Sequence, residues 1–132
     1  MNFLVDTNIC SAYLKGDRGV WSKFMQYSGG LAISVITAGE LWTWVSRNAT
    51  SERSKKAVSE FIDLMDVVEI DLHVALKFGS LRGEFLDVGR SLPDMDALIA
   101  STALQHDLTL VTHNVSDFEA IPDLRIEDWL QS

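Results

Sequence analysis

Five acidic residues in this 132-residue chain stand where strands should end or helices begin: Asp6, Glu40, Asp94, Asp96 and Asp117. Asp6 closes the short apolar run Phe3-Leu4-Val5, and Asp117 ends the segment His113-Asn-Val-Ser-Asp that follows another apolar run. Glu40, Asp94 and Asp96 lie at predicted helix starts. In a parallel sheet such junctions gather at one edge, so four pieces of chain could aim oxygen ligands at one place. Carboxylates packed without a counterion repel each other, and some would have to stay protonated. A hard divalent cation, Mg²⁺ or Mn²⁺, removes that difficulty, because it prefers carboxylate and water oxygens. Such an ion lowers the pKa of a bound water and neutralises charge building on a phosphate. No Ser or Cys is paired with a His as a nucleophile, so covalent acyl chemistry has no support.

Each acid also has a purely structural reading. Asp6 could be only the N-cap of the helix that Thr7 and Asn8 open. Glu40 could be the third-turn-position partner of Thr37 in a capping box, Thr37-Ala-Gly-Glu40. Asp94 could simply favour a helix N-terminus through the dipole. Asp96 is harder to dismiss, since an apolar stretch follows it at once and burial leaves a carboxylate needing a partner. Asp94 and Asp96 are two apart, so a helix points them different ways. Asp96 is therefore expected to touch the metal, with Asp94 at the rim or on a second ion. Asp117 could be a turn residue, and Asn114 a strand-end cap.

The elements that would position these residues alternate. Phe3 to Val5 and Leu31 to Val35 read as short buried strands. Between them, a helix stops near Lys15-Gly16 and a second, with Val20, Trp21, Phe24 and Met25, closes at Gly29-Gly30. The capping box predicts a helix from Thr37 to about Asn48, and Ser51-Glu52 opens another. Val67 to Ile70 is a predicted strand, His73 to Val88 a helix, and Leu92-Pro93-Asp94 a turn into one more helix. That helix is apolar or small nearly all round from Ala97 to Leu104, which implies burial on several sides. Thr109 to Thr112 and Leu124 to Ile126 are the last expected strands. The alternation predicts an α/β fold in one domain spanning residues 1–132. Its mainly parallel sheet should have about four to five strands, with helices on both faces.

Composition narrows the field. Hydrophobic residues are 47% and charged residues 23%, an ordinary globular balance. No apolar run reaches the roughly 20 residues needed to cross a bilayer, and no signal peptide is evident. Cys10 is the only cysteine, which excludes an internal disulfide and a Cys-based zinc site and fits a reducing cytoplasm. His73, His106 and His113 lack metal-ligand spacing and read as ordinary side chains. The net charge of −8 disfavours gripping nucleic acid by its phosphates. Arg47, Arg53, Lys55 and Lys56 nevertheless cluster, with Lys77, Arg82 and Arg90 as a looser group, and divalent cations can cover the carboxylates. Of these, Arg47, Arg53, Lys55, Lys56 and Arg82 are the available phosphate contacts. Trp42 and Trp44, two apart on one helix, cannot both face the same core. One of them should be inside, or both half-buried.

Four pieces of sequence together carry a resemblance. They are Leu-Val-Asp6-Thr-Asn8, Ser34-Val-Ile-Thr-Ala-Gly-Glu40-Leu, Asp96-Ala-Leu-Ile-Ala-Ser-Thr-Ala103-Leu and Leu110-Val-Thr-His-Asn114-Val-Ser-Asp117-Phe. In order and spacing they resemble the PIN-domain ribonucleases, and among them the VapC-type toxins of toxin–antitoxin pairs. The resemblance implies an acidic cluster that binds Mg²⁺ or Mn²⁺ and a metal-activated water that cuts RNA. On it, Asp6, Glu40 and Asp96 match the main metal-site carboxylates and Asp117 a more variable fourth. Thr7, Asn8, Thr112 and Asn114 match polar positions that steady the site. Many relatives carry an acid where this chain has Asn114, and Asp94 has acidic counterparts in some members only. The resemblance also implies a homodimer and a small antitoxin lying across a groove near the first helices.

Two rival readings remain at this level. A catalytically silent module with the same fold would not need to crowd its carboxylates. A phosphatase using Asp6 as nucleophile would need a second Asp two residues on, where this chain has Asn8.

Overall fold

Strand β1 (Phe3–Val5) occupies the middle of the sheet, and the other four strands are laid beside it in the order β3-β2-β1-β4-β5. The computed structural model describes residues 1–47 and 51–130. Along the chain, α1 (Thr7–Leu14) and α2 (Arg18–Gln26) lead to β2 (Leu31–Ser34). Next come α3 (Val35–Val45), α4 (Glu52–Leu64), β3 (Asp66–Val68) and α5 (Leu72–Asp87). The chain continues through α6 (Asp94–Gln105), β4 (Thr109–Val111), α7 (Val115–Phe118) and β5 (Ile126–Glu127). All four pairings are parallel, with Phe3 level with Leu31 on one side and with Thr109 on the other.

Alternation along these short strands divides the core in two. Phe3, Val5, Leu31, Ile33 and Val111 face one layer, where they meet Ile9, Val20, Phe24, Leu41, Val45, Val58 and Phe61 from α1 to α4. Leu4, Ala32, Val68 and Leu110 face the other, against Leu81 and Phe85 of α5 and Ala97, Ala100 and Ala103 of α6. The sheet is therefore covered on both sides, which is why its strands read as continuous apolar runs. Trp129 is 6% exposed and packs edge-on to Phe3 and flat against Tyr27, fixing the segment after β5 to the first layer.

Helix ends account for most differences from the expected boundaries. Gly16 (φ +89°) and Gly29 (φ +90°) adopt the left-handed conformation that stops α1 and α2, as their positions implied. The capping box does not form. Ser34, fully buried at the end of β2, caps α3 instead, its Oγ accepting the Ile36 N–H at 3.0 Å. The helix starts at Val35 and Glu40 falls inside it; Asn48, the expected end, lies outside the described residues. Pro93 stands at the N-cap of α6 rather than its first turn. Asp117 lies on α7, a short helix that four residues of sequence did not announce. Trp42 and Trp44 are both exposed, at 46% and 40%, so neither belongs to the core. Replacing Ser34 with Ala should cost about 1 kcal/mol, read as a lower midpoint in urea unfolding with an unchanged slope.

Candidate active site

The strand order reverses between β1 and β4, and the crevice outside the carboxyl ends of such strands is where open α/β sheets bind ligands. Asp6 ends β1 at that point. It is 6% exposed, and its Oδ1 accepts the Thr7 N–H at 2.8 Å while its Oδ2 accepts the Thr112 hydroxyl at 2.8 Å. Asp6 thus caps α1 with one oxygen while the end of β4 holds the other. Burial lifts its pKa above the ordinary carboxylate value, the bonds from Thr112 and Thr7 pull it down, and the charges of Glu40 and Asp117 raise it again.

Asp96, the third residue of α6, is partly buried. Burial raises its pKa, and the charges of Asp117, Asp6 and Glu40 add to the effect. Glu40 comes from α3, where Thr7 donates its hydroxyl to Glu40 Oε1 at 2.6 Å and lies 3.3 Å from the buried Thr37 hydroxyl. Asp117 comes from α7. The charges of Glu40 and Asp117 therefore reach both Asp6 and Asp96, which places side chains from four elements near one end of the sheet. Among the described residues no three His, Cys, Asp or Glu side chains are grouped closely enough to hold a metal ion as they stand. Asp6, Glu40, Asp96 and Asp117 supply hard oxygen donors, the kind Mg²⁺ and Mn²⁺ prefer.

Asp94 takes a different position from its neighbour Asp96. It is exposed, and its Oδ1 lies 3.8 Å from Arg82 Nε. Its charge is not among those that perturb Asp6 or Asp96. Arg82, one of the expected phosphate contacts, is accordingly engaged with Asp94. Lys55 and Lys56 pair with Glu52 and Glu60 on their own helix, and Arg47 and Arg53 are exposed nearby in the chain.

The remaining polar residues form a clasp between α1 and the end of β4. Asn8 Oδ1 accepts the His113 N–H at 3.1 Å, and Asn8 Nδ2 lies 3.5 Å from Thr112 Oγ1. Thr112 Oγ1 also accepts the Asn114 N–H at 3.1 Å. Thr7, Asn8, Thr112 and the Asn114 backbone thus hold two distant segments in register around Asp6. Asn8 has a full structural occupation at the position where an aspartyl-phosphate chemistry would need an acid.

Sequence reasoning missed two residues beside this clasp. His113 Nδ1 lies 3.0 Å from Asp128 Oδ2, and Asp128 sits within the segment that Trp129 anchors. Neither has a spacing signal, since 15 residues separate them.

Comparison with known proteins decides the family. The PIN domain model matches residues 3–124. The chain belongs to the PIN-domain family. Among its relatives is the tRNA(fMet)-specific endonuclease VapC of Shigella flexneri, 32% identical with 98% of each chain covered. Ribonuclease VapC2 of Rickettsia felis is 30% identical, again over 98% of each chain. The crystal structure of DNA-bound VapBC from Salmonella typhimurium superposes with a TM-score of 0.91 at 32% identity, covering 98% of both chains. These relatives make this PIN domain a VapC-type endoribonuclease, a hydrolase, of the kind found in VapBC toxin–antitoxin systems.

Proposed function

We propose that this protein cuts RNA phosphodiesters with the help of Mg²⁺, for which Mn²⁺ can substitute, and serves as the toxin of a toxin–antitoxin pair. The observation that carries the proposal is that Asp6 at the switch point of the sheet and Asp96 on α6 both feel the charges of Glu40 and Asp117, which raise their pKa values beyond the effect of burial. A divalent cation bound there would supply a water of lowered pKa and a positive charge against the reacting phosphate. The chain's own part is to hold the donors. Thr112 and the Thr7 N–H each hold one oxygen of Asp6, which aims the carboxylate and offsets part of the rise that burial causes, and the Thr7 hydroxyl steers Glu40. Asp96 sits on a helix buried on several sides, which limits its drift. Neutralising this cluster also answers the net charge of −8, which by itself would repel RNA.

Two relatives at 32% identity are named tRNA(fMet)-specific endonucleases, so initiator tRNA is the substrate to test first. Purified protein should cut it with Mg²⁺ or Mn²⁺ and be silenced by EDTA. Calorimetry at neutral pH should show Mn²⁺ binding; no binding would favour a silent module with this fold. The proposed compartment is the cytoplasm, consistent with one buried thiol, Cys10, and with no described helix long and apolar enough to cross a membrane.

Two apolar surfaces support the proposed partners. On α5, Leu72, Leu76 and Leu86 are 68%, 61% and 58% exposed, with Gly79 and Gly83 on the same stripe leaving open space above the backbone. A two-fold axis through this stripe would bury it against the same stripe of a second copy. Leu76→Arg should weaken that homodimer by at least about 10-fold, the effect of losing one interface anchor, measured by sedimentation. Between α2 and α4, Phe24, Met25, Phe61 and Leu64 line a groove of about 230 Å³. Trp21, 53% exposed on α2, extends the apolar surface near it. This is the surface proposed for the antitoxin.

A further inference from the structure

A cleft of about 930 Å³ opens around the start of α7 and the end of β5. Lys23 of α2, His113, Asn114 and Ser116 around the start of α7, Glu127 at the end of β5 and Asp128 after it line the cleft. None of the four clustered acids lines it, but the chain connects the two directly. The segment that lines the cleft, residues 113–116, is the one clasped to Asp6 through Thr112 and Asn8, and Asp117 follows it immediately.

His113 is built into that wall in a defined state. Asp128 Oδ2 accepts from His113 Nδ1 at 3.0 Å, and Asp128 Oδ1 accepts the Leu130 N–H at 2.9 Å. The Asp128 side chain is 12% exposed while that of His113 is 56% exposed. An ionised carboxylate only accepts, so the proton between them belongs to Nδ1. The carboxylate thereby fixes the tautomer and the ring plane, leaving Nε2 without a partner among the described residues. Trp129, wedged against Phe3 and Tyr27, keeps Asp128 where it is. Lys23 is the cation on the facing helix; its Nζ rests 5.8 Å from the Tyr27 ring centre, which directs an otherwise mobile chain.

We propose that this cleft seats the nucleotide adjoining the scissile bond, with Lys23 and His113 Nε2 contacting its phosphate and ribose. His113 and Lys23 are then substrate-positioning residues, and Asp128 acts through His113. The inference rests on the ribonuclease reading above. It explains how an acidic protein finds a grip on RNA next to its carboxylates: phosphate contacts set the register of the strand, while the acid cluster holds the bond to be cut.

The test measures RNA binding as well as cleavage. Dissociation constants for a cleavable RNA, held intact with Ca²⁺ in place of Mg²⁺, would be compared for the parent, His113→Ala, His113→Gln, Lys23→Gln and Asp128→Asn. His113→Ala and Lys23→Gln should each weaken binding about 10-fold, the scale of one charge-assisted contact. Mn²⁺ affinity and the single-turnover rate at saturating RNA should stay within about twofold, the parental values of a site whose metal donors are untouched. His113→Gln, which keeps a donor and leaves Asp128 a partner, should recover part of the loss. A methylphosphonate placed at each phosphate flanking the cut should weaken the parent at one position and add nothing further in Lys23→Gln at that position. Equal losses in parent and variant at every position would overturn the proposal. So would variants that lower thermal stability with RNA affinity unchanged, or that lose only antitoxin inhibition, which would make the cleft a protein-docking site. If the parent itself cuts no RNA with Mg²⁺ or Mn²⁺, the ribonuclease reading fails and this one with it.

Discussion

Asp96→Asn should abolish RNA cleavage and, in the absence of metal, make the protein more stable at neutral pH. The loss of activity should be at least about 10³-fold, since removing a charged donor exceeds the roughly 10²–10³-fold cost of losing one neutral donor to a developing charge. The gain in stability follows from the direction of the pKa shifts. Asp6 and Asp96 are both raised, by burial first and then by neighbouring carboxylates. The native state therefore binds these protons more tightly than the unfolded chain, so stability falls as pH rises from the ordinary carboxylate value through the raised one. At neutral pH both acids are paying that electrostatic cost, and the amide at position 96 removes one share. Asp96 is only partly buried, so solvent screens much of this cost and the gain is smaller than a fully buried carboxylate would give. Thermal unfolding between pH 4 and 8 checks it: without metal the difference between variant and parent should widen toward pH 8, and saturating Mn²⁺ should reverse it. An Asp96→Asn protein that cuts RNA at the parental rate would remove Asp96 from the site.

The second large effect is expected from Thr112→Val. The side chain is fully buried, and the substitution keeps its shape while deleting one oxygen. That oxygen donates to Asp6, accepts the Asn114 N–H and faces Asn8. Without it Asp6 loses the bond that most lowers its pKa, and a backbone N–H beside it loses its acceptor. The cost should be about 1–3 kcal/mol of stability, the penalty for orphaning a buried polar group. Cleavage should fall about 10–100-fold, as when support behind a metal ligand is lost. Thr112→Ser, which restores the hydroxyl, should recover most of both. Urea unfolding and initial cleavage rates give the two readouts.

Much of this was legible in the chain because buried parallel strands leave short apolar runs that stop at polar residues. Phe3 to Val5, Leu31 to Val35 and Thr109 to Thr112 each announce a strand; the structure ends these strands at Val5, Ser34 and Val111, so that Asp6 and Thr112 follow two of them and the cap Ser34 closes the third. The charges of Glu40 and Asp117 reach both Asp6 and Asp96. Asp94, two residues from Asp96, is turned by the helix toward Arg82. Glu40 was expected through a motif that does not form; its position depends on Ser34 capping α3 earlier than Thr37 would. His113 and Asp128 left no trace in sequence, because their contact depends on where β5 and Trp129 bring the chain's last described residues. Pairing across the fold of that kind is a tertiary fact, invisible to local periodicity.

The central place of β1 has an implication for how a destructive enzyme is made safely. Its neighbour β4, and with it the Thr112 hydroxyl that holds Asp6, lies 106 residues further along. A growing polypeptide leaving the ribosome thus carries its first acid long before the piece that restrains it exists. Contacts so remote in sequence close late and slowly. Any shorter product that stops before Thr112 lacks the hydroxyl that holds Asp6, so the proposed cutting centre cannot be complete in it.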